Sequence, residues 1–130
     1  MKLREGQKKI AFAVHDDKNG ELIEWSYFNK EILNTHEIIA CGKAGNILEG
    51  TLNMPVIKLP EASIGGCHSL TAYITEGKID ILIFFWNDTK EKFQHNGVQN
   101  LLSAALEANV IVVHNKVSAE YILSSALMSN

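Results

Sequence analysis

The sequence predicts a single α/β domain, residues 1–130, with a five-stranded parallel sheet and helices on both faces. Three observations predict it. Five short runs are apolar at every position, which is typical of strands buried on both sides. Longer amphipathic stretches lie between these runs, so that strand and helix alternate along the chain. The length suits one domain, and no internal repeat or linker divides the chain.

The strands are expected at the apolar runs and the helices in the stretches between them. The five predicted strands cover residues 10–14, 38–40, 56–59, 79–86 and 110–113. The five predicted helices cover residues 19–33, 45–52, 66–76, 98–108 and about 118–128. The buried face of the first helix is expected to carry Leu22, Ile23, Tyr27 or Phe28, and Ile32. The buried face of the fourth is expected to carry Leu101, Leu102, Ala105 and Leu106.

Composition and charge exclude several classes of protein. Hydrophobic residues make up 46% of the chain, which is enough apolar surface to fold and excludes intrinsic disorder. A net charge of -3 at pH 7 argues against binding to nucleic acid, and no apolar run approaches the ~20 residues of a membrane span. Two cysteines are too few for a disulfide framework, and no metal site is predicted because no two histidines are spaced i, i+4. The N-terminus lacks a signal-peptide pattern, so we expect a cytoplasmic protein.

Polar and glycine-rich groups follow the predicted strands at their carboxyl ends. In an open parallel sheet, ligands bind beyond this edge. The groups are His15-Asp16-Asp17-Lys18, Cys41-Gly42-Lys43-Ala44-Gly45, Glu61-Ala62-Ser63-Ile64-Gly65-Gly66-Cys67-His68, Asn87-Asp88 with His95, and His114-Asn115-Lys116. Four of the five histidines lie here and only His36 does not, so the sequence predicts a ligand site at this edge.

Two of these groups are candidates for a phosphate site, because each combines glycine with the start of a predicted helix. Glycine lets backbone N–H groups turn toward an anion, and a helix N-terminus favours negative charge. In the loop 42–45, Lys43 would add a point charge, and the alternative is a tight turn with a solvent-facing lysine. The loop 63–66 has the same pattern, so the two loops could share one phosphate.

Four residues are candidates for proton transfer. Cys67 would lie in the first turn of a helix, where a thiolate is stabilised and can act as base or nucleophile. The alternative for Cys67 is a small buried apolar side chain. His15 could donate to a substrate oxygen while Asp16 orients its ring or accepts a proton, and the alternative is a capping aspartate beside a surface histidine. His95 is a candidate because its loop leaves the same edge.

The chain resembles the methylglyoxal synthase family from Lys9 to about Leu123. The resemblance rests on Ile10-Ala11-x-x-x-His15-Asp16, on Ala40-Cys41-Gly42-x-x-Gly45-Asn46, on Ile64-Gly65-Gly66, and most heavily on the block from Glu76 to Trp86 followed by His95. It implies a Rossmann-like fold, a homohexamer and no metal or organic cofactor. It also implies conversion of dihydroxyacetone phosphate to methylglyoxal and phosphate through an enediolate.

The resemblance assigns site residues, and several depart from the family pattern. Cys67 stands where the family has the aspartate that removes the substrate proton. Lys43 and Ala44 stand where the family has two threonines that bind phosphate. The family's phosphate-binding lysine falls at Asn19, next to Lys18. The chemistry of the site is therefore expected to differ more from the family than the scaffold does.

The residues and the resemblance together predict two functional sets. The catalytic set is Cys67, His15, Asp16 and His95. The phosphate- and substrate-binding set is Lys18, Gly42, Lys43, Ala44, Gly45, Ser63, Gly65 and Gly66. The alternative is a catalytically silent homologue that binds inorganic phosphate or a small phosphorylated metabolite as a sensor or regulatory module.

Overall fold

The computed structural model describes residues 7–14, 18–60, 67–85 and 96–125, with the backbone only for residue 67 and residues 96–98. The strands are β1 (Lys9–Val14), β2 (Glu37–Cys41), β3 (Ile57–Leu59), β4 (Ile81–Phe85) and β5 (Ile111–Val113). The helices in these residues are α1 (Asn19–Phe28), α2 (Lys30–Leu33), α3 (Lys43–Leu52), α4 (Cys67–Thr75), α5 (Asn96–Glu107) and α6 (Lys116–Leu123). Strand and helix alternate as the sequence predicts, with bounds that shift by a few residues.

The five strands form one parallel sheet in the order β3-β2-β1-β4-β5. Ile10 of β1 lies opposite Ile38 on one side and Ile81 on the other. The chain moves outward from β1 to β3 and then returns to β4 on the other side of β1. This confirms the predicted five-stranded parallel sheet. It also places the topological switch point, where such sheets bind ligands, at the carboxyl ends of β1 and β4.

The sheet separates two hydrophobic cores, because alternate residues of each strand face opposite sides. In β1, Ile10 and Phe12 face the core that α1, α2, α3 and α6 cover. Ala11 and Ala13 face the core that α4 and α5 cover. Helices therefore lie on both faces of the sheet, as the sequence predicts.

The prediction of one helix over 19–33 is wrong, because the helix is interrupted at Asn29. The Nδ2 of Asn29 donates to the Trp25 carbonyl at 2.9 Å, and its backbone N–H donates to the same oxygen at 3.0 Å. The backbone bond is the regular i→i−4 bond of a helix, whereas the side-chain bond adds a second donor to the same carbonyl and competes with the helical ladder. The segment consequently forms α1 and the short α2.

The buried face of this segment also differs from the prediction. Four of the residues expected there are largely exposed: Ile23 (46%), Tyr27 (68%), Phe28 (81%) and Ile32 (37%). Leu22 is buried as expected, but its buried companions are Trp25, Ser26 and Leu33. The Ser26 hydroxyl lies 2.8 Å from the Thr51 hydroxyl, which satisfies a polar group at a core position. Because one of the core positions is polar, the spacing of apolar residues alone predicted the wrong buried face for this helix.

The two outer strands are less buried than the sequence predicts. Ile57 in β3 is 38% exposed and Ile111 in β5 is 46% exposed, because each strand has a neighbour on one side only. In α5, Leu101 and Ala105 are fully buried as expected, whereas Leu106 is 79% exposed. An i, i+4 pair on one stripe thus carries the main contact of α5 with the sheet. The last helix begins at Lys116 and ends at Leu123, and residues 126–128 of the predicted helix lie outside the described residues.

Candidate active site

The described members of the predicted site lie at the carboxyl edge of the sheet. Val14 pairs with Phe85, so β1 and β4 end side by side at the switch point. Lys18 directly precedes α1, and residues 42–45 span the turn from β2 into α3. Cys67 begins α4, as its predicted role requires, but its side chain lies outside the described residues. Outside them also lie His15, Asp16, Ser63, Gly65, Gly66 and His95.

Gly42 makes the turn from β2 into α3 with a backbone that other residues rarely adopt. Its dihedral angles are φ 62° and ψ −141°, a region essentially restricted to glycine. Its N–H donates to the Leu59 carbonyl at 2.9 Å, and its carbonyl accepts from the Gly45 N–H at 3.1 Å. The turn is therefore fixed from both β3 and α3. The first turn of α3 faces the carboxyl edge, and first-turn N–H groups are the donors that bind anions at helix N-termini.

Position 45 requires glycine because the side chain of Lys58 passes close over its backbone. A Cβ at position 45 would lie 2.6 Å from Cγ of Lys58, far inside van der Waals contact. Lys58 Nζ donates to Glu49 Oε1 at 2.7 Å and to Asn46 Oδ1 at 3.4 Å, which holds the stem over the first turn of α3. The Lys58 hydrogen bond also keeps the pKa of Glu49 below its ordinary value. The side chain of Ala44 is buried in the core, so this residue can contact a ligand through its backbone only.

Lys18 is held at this edge by a carboxylate that it shares with a second lysine. Lys18 Nζ donates to Glu21 Oε2 at 3.2 Å, and Lys116 Nζ lies 3.4 Å from Glu21 Oε1. The hydrogen bond from Lys18, reinforced by Lys116, keeps the pKa of Glu21 below its ordinary value despite slight desolvation. Glu21 is thus ionised at neutral pH, and it fixes two ammonium groups near the start of α1.

The exit of β5 brings a capped helix to the same edge. Asn115 is the N-cap of α6, and its side-chain oxygen accepts from the Ser118 N–H at 2.9 Å. His114, one residue earlier, is exposed and meets the Phe84 ring edge to face, with 6.0 Å between ring centroids. The cap fixes the first turn of α6 and with it the backbone of Lys116.

The chemistry of the described edge suits an anion. Ammonium groups and helix N-termini converge there, and both interact favourably with phosphate. Within residues 7–14, 18–60, 67–85 and 96–125, no group of three or more His, Cys, Asp or Glu side chains is placed to hold a metal ion. In the same part of the chain, no helix is long and apolar enough to cross a bilayer.

Known proteins of closely similar sequence identify the family. No family model matches the chain. The chain is 39% identical over 123 residues to the methylglyoxal synthase of Coxiella burnetii, which covers 95% of this chain and 86% of that protein. It is 36% identical over 121 residues to the methylglyoxal synthase of Pseudoalteromonas atlantica, with 93% and 90% of the two chains covered. The chain belongs to the methylglyoxal synthase family.

The fold agrees with a solved methylglyoxal synthase. The crystal structure of the protein from Elizabethkingia anophelis matches with a TM-score of 0.85 and 28% sequence identity, over 97% of this chain and 83% of that one. Both the resemblance inferred from the motifs and the predicted fold class are therefore confirmed.

Three residues at the carboxyl edge were not predicted from the sequence as site residues: Glu21, Lys58 and Lys116. Glu21 follows Lys18 by three residues on a helix, a spacing that signals an ion pair. Lys116 ends the polar group that follows the fifth strand, so its position at the edge was visible in the sequence. Lys58 gave no local signal, because its role depends on how β3 packs against α3.

Proposed function

We propose that the chain is a carbon–oxygen lyase of the methylglyoxal synthase type. Its substrate is dihydroxyacetone phosphate or a related small phosphorylated ketone, and its products are methylglyoxal and inorganic phosphate. The observation that carries the proposal is the 36–39% identity to proteins named methylglyoxal synthase over at least 93% of the chain. The anion-binding character of the carboxyl edge supports it.

In the proposed reaction, a base removes a proton from the hydroxymethyl carbon, which lies on the other side of the carbonyl from the phosphate ester. The electron pair moves to the carbonyl carbon and oxygen, giving an enediolate. The carbon–oxygen bond to phosphate then breaks, and the released enol tautomerises to methylglyoxal. No oxidant, reductant or cofactor is needed to balance this sequence.

Cys67 takes the place of the base in this proposal. It is the first residue of α4, and the positive end of a helix dipole stabilises a thiolate there. His15 and His95 polarise the carbonyl and carry protons, while Asp16 orients or assists His15. A positioned base contributes about 10²–10⁴-fold in rate. The rate of Cys67→Asp relative to the wild type therefore compares a carboxylate with the thiolate as the base.

The phosphate group is proposed to lie between the two glycine loops. Residues 42–45 offer first-turn N–H groups of α3, with Ala44 acting through its backbone. Ser63, Gly65 and Gly66 would contact the same phosphate from the loop before α4. Lys18 would supply a cation from the start of α1.

A silent phosphate-binding homologue is the second candidate, and the cysteine at position 67 favours it. A thiol that stays protonated at neutral pH cannot remove a carbon-bound proton. The site would then bind inorganic phosphate or a phosphorylated metabolite without turnover, as a sensor or regulatory module.

Product release from dihydroxyacetone phosphate tests the first proposal. Methylglyoxal and phosphate are measured for the wild type, Cys67→Asp and His15→Ala. We expect turnover in the wild type that falls at least about 100-fold in His15→Ala, because a positioned proton-transfer group is lost. No turnover in the wild type, with phosphate still raising the melting temperature, would instead establish the silent homologue. Activity that appears only in Cys67→Asp would show that the base alone had been lost.

We also propose that the protein is a cytoplasmic homo-oligomer, with a hexamer as the expected state. Large apolar side chains stand exposed on one chain, among them Phe28 at 81%, Leu106 at 79% and Tyr121 at 76%. In this proposal, neighbouring copies of the chain cover these side chains. Light scattering after size exclusion measures the mass directly, and a monomeric mass would contradict the proposal.

A further inference from the structure

An ion-pair chain joins the first turns of two helices at the carboxyl edge. It consists of Lys18, Glu21 and Lys116, and we refer to these three side chains as the lysine bridge. Each oxygen of the Glu21 carboxylate faces one ammonium group, at 3.2 Å for Lys18 and 3.4 Å for Lys116. The three side chains are 32%, 43% and 48% exposed in chain order, so all of them can reach solvent.

The place of the lysine bridge in the fold brings it to the switch point. Helix α1 follows β1 and helix α6 follows β5, and β4 lies between these two strands in the sheet. A contact between the two first turns must therefore pass beside the carboxyl end of β4. Both helices also direct their positive dipole ends to this edge. The bridge consequently flanks the crevice where a parallel sheet of this topology binds its ligand.

The charge of the lysine bridge is unbalanced in favour of an anion. Two ammonium groups and one carboxylate leave a net charge of +1. Exposed lysine–carboxylate pairs are weak, so a phosphate dianion can compete with Glu21 for both lysines. Each ammonium group has three donors and can bond a phosphate oxygen while it stays near Glu21.

We propose that Lys116 and Lys18 form a two-lysine clamp for the phosphate group of the ligand, with Glu21 holding both ammonium groups in place until phosphate arrives. The proposal rests on the proposed function in one respect, namely that the ligand carries a phosphate. It adds Lys116 to the site from a helix that none of the predicted site residues occupies. It also gives Glu21 a defined role as the competitor of the bound phosphate.

Titration calorimetry with inorganic phosphate at fixed ionic strength tests the clamp. The variants are Lys116→Gln, Lys116→Arg and Glu21→Gln, with Lys78→Gln as the matched control. Lys78 is an exposed lysine 3.0 Å from Glu76, but it lies just before β4 at the opposite edge of the sheet. Lys78→Gln therefore makes the same change in net charge at a distance from the site.

We expect Lys116→Gln to weaken phosphate binding about threefold to tenfold, the loss of one charge-assisted contact at an exposed site. Lys116→Arg keeps the charge and stays within about twofold of the wild type, as does Lys78→Gln. Glu21→Gln removes the competitor and binds phosphate more tightly. Equal affinities for Lys116→Gln and Lys78→Gln would overturn the clamp, as would a wild type that binds no phosphate. A weaker Glu21→Gln would overturn the competitive role of Glu21.

The clamp and the lyase fail in different measurements. Phosphate affinity reports on the lysine bridge whether or not the protein turns over dihydroxyacetone phosphate. A wild type without turnover that still loses phosphate affinity in Lys116→Gln would retain the clamp and reject the lyase.

Discussion

The two edges of the sheet are built differently. At the amino edge, polar side chains bond to the main chain of neighbouring strands. Nδ1 of His36 accepts from the Lys8 N–H at 2.9 Å, and Oδ2 of Asp80 accepts from the Lys9 N–H at 2.8 Å. At the carboxyl edge, the described features are a glycine turn, helix N-termini and lysines that share one carboxylate. The amino edge thus uses its polar groups to hold the strands in register, whereas the carboxyl edge carries the groups that we propose bind phosphate.

This difference predicts which substitutions lower the free energy of unfolding and which weaken phosphate binding. His36 is only 4% exposed, and its bond spans 28 residues of sequence, so its loss is a loss of tertiary structure. The side chains of the lysine bridge are all more exposed than His36, and they contribute mainly through their charge. Changes at the amino edge should therefore lower the free energy of unfolding and leave phosphate affinity intact.

Replacing His36 by leucine is the change expected to have the largest effect on stability. It removes the acceptor of the Lys8 N–H and leaves that donor without its partner in the fold. An unsatisfied donor of this kind costs about 1–3 kcal/mol in the free energy of unfolding. Urea unfolding at pH 7.5 measures this loss. The matched control is His114→Gln, an exposed histidine at the carboxyl edge, for which we expect little change.

The same histidine should make stability depend on pH. Burial lowers the pKa of His36, with Lys8 adding to the effect and Asp80 opposing it. The unfolded chain, with its histidine near pKa 6.5, therefore takes up a proton at a higher pH than the folded chain does. The stabilisation is complete above about pH 6.5 and is lost as the pH falls through the lowered pKa, by at most about 1.4 kcal/mol per pH unit. The free energies of unfolding of the wild type and His36→Leu should therefore converge as the pH falls. A difference between them that stays constant from pH 7.5 to pH 5 would contradict this.

A glycine pair in α3 gives the next largest effect. Gly50→Ala should stabilise by up to about 1 kcal/mol through helix propensity, because a Cβ there meets nothing within 4 Å. Gly45→Ala should instead destabilise by about 1–2 kcal/mol, because the new Cβ overlaps Lys58 and displaces it from Glu49.

The Lys58→Ala background separates overlap from propensity. With the lysine stem removed, Gly45→Ala should gain stability as Gly50→Ala does. Thermal unfolding of the single and double variants measures the reversal of sign. Destabilisation by Gly45→Ala that persists in Lys58→Ala would show that Lys58 is not what requires the glycine. Because Gly45 lies in the candidate phosphate loop, phosphate affinity should fall in Gly45→Ala and recover in the double variant.

Part of the fold could be predicted from the sequence and part could not, for reasons that differ from residue to residue. The sheet was predictable because runs such as 81–85 are apolar at every position and are fully buried. The buried face of α1 was not, because Ser26 at a core position is satisfied by Thr51, which is distant in sequence. The location of the candidate site stays a prediction, which rests on where the strands end.

The contacts at the site required the tertiary structure. Lys58 reaches Gly45 only because β3 lies beside α3, and no local pattern encodes that approach. Glu21 and Lys116 are 95 positions apart in the sequence, and their contact depends on two helices sharing one face of the sheet. Residue types at strand ends thus predict which polar groups lie at one edge of the sheet, whereas the pairing of charges at that edge depends on packing.

The smallest of the expected stability effects also links stability and phosphate binding most directly, because both depend on the start of α6. Asn115→Ala removes the side-chain acceptor for the Ser118 N–H at the start of α6, and loss of such a cap costs about 0.5–1 kcal/mol. Because Lys116 is the next residue, fraying of this turn should also loosen its ammonium group and weaken phosphate binding about twofold. Asn115→Ser, which keeps a capping oxygen, should restore both quantities. Calorimetry and thermal unfolding of the two variants measure affinity and stability side by side. If Asn115→Ala lost stability but kept its full phosphate affinity, the carboxyl edge would not need an ordered α6 to bind its anion, and Lys116 would be no more than a surface charge.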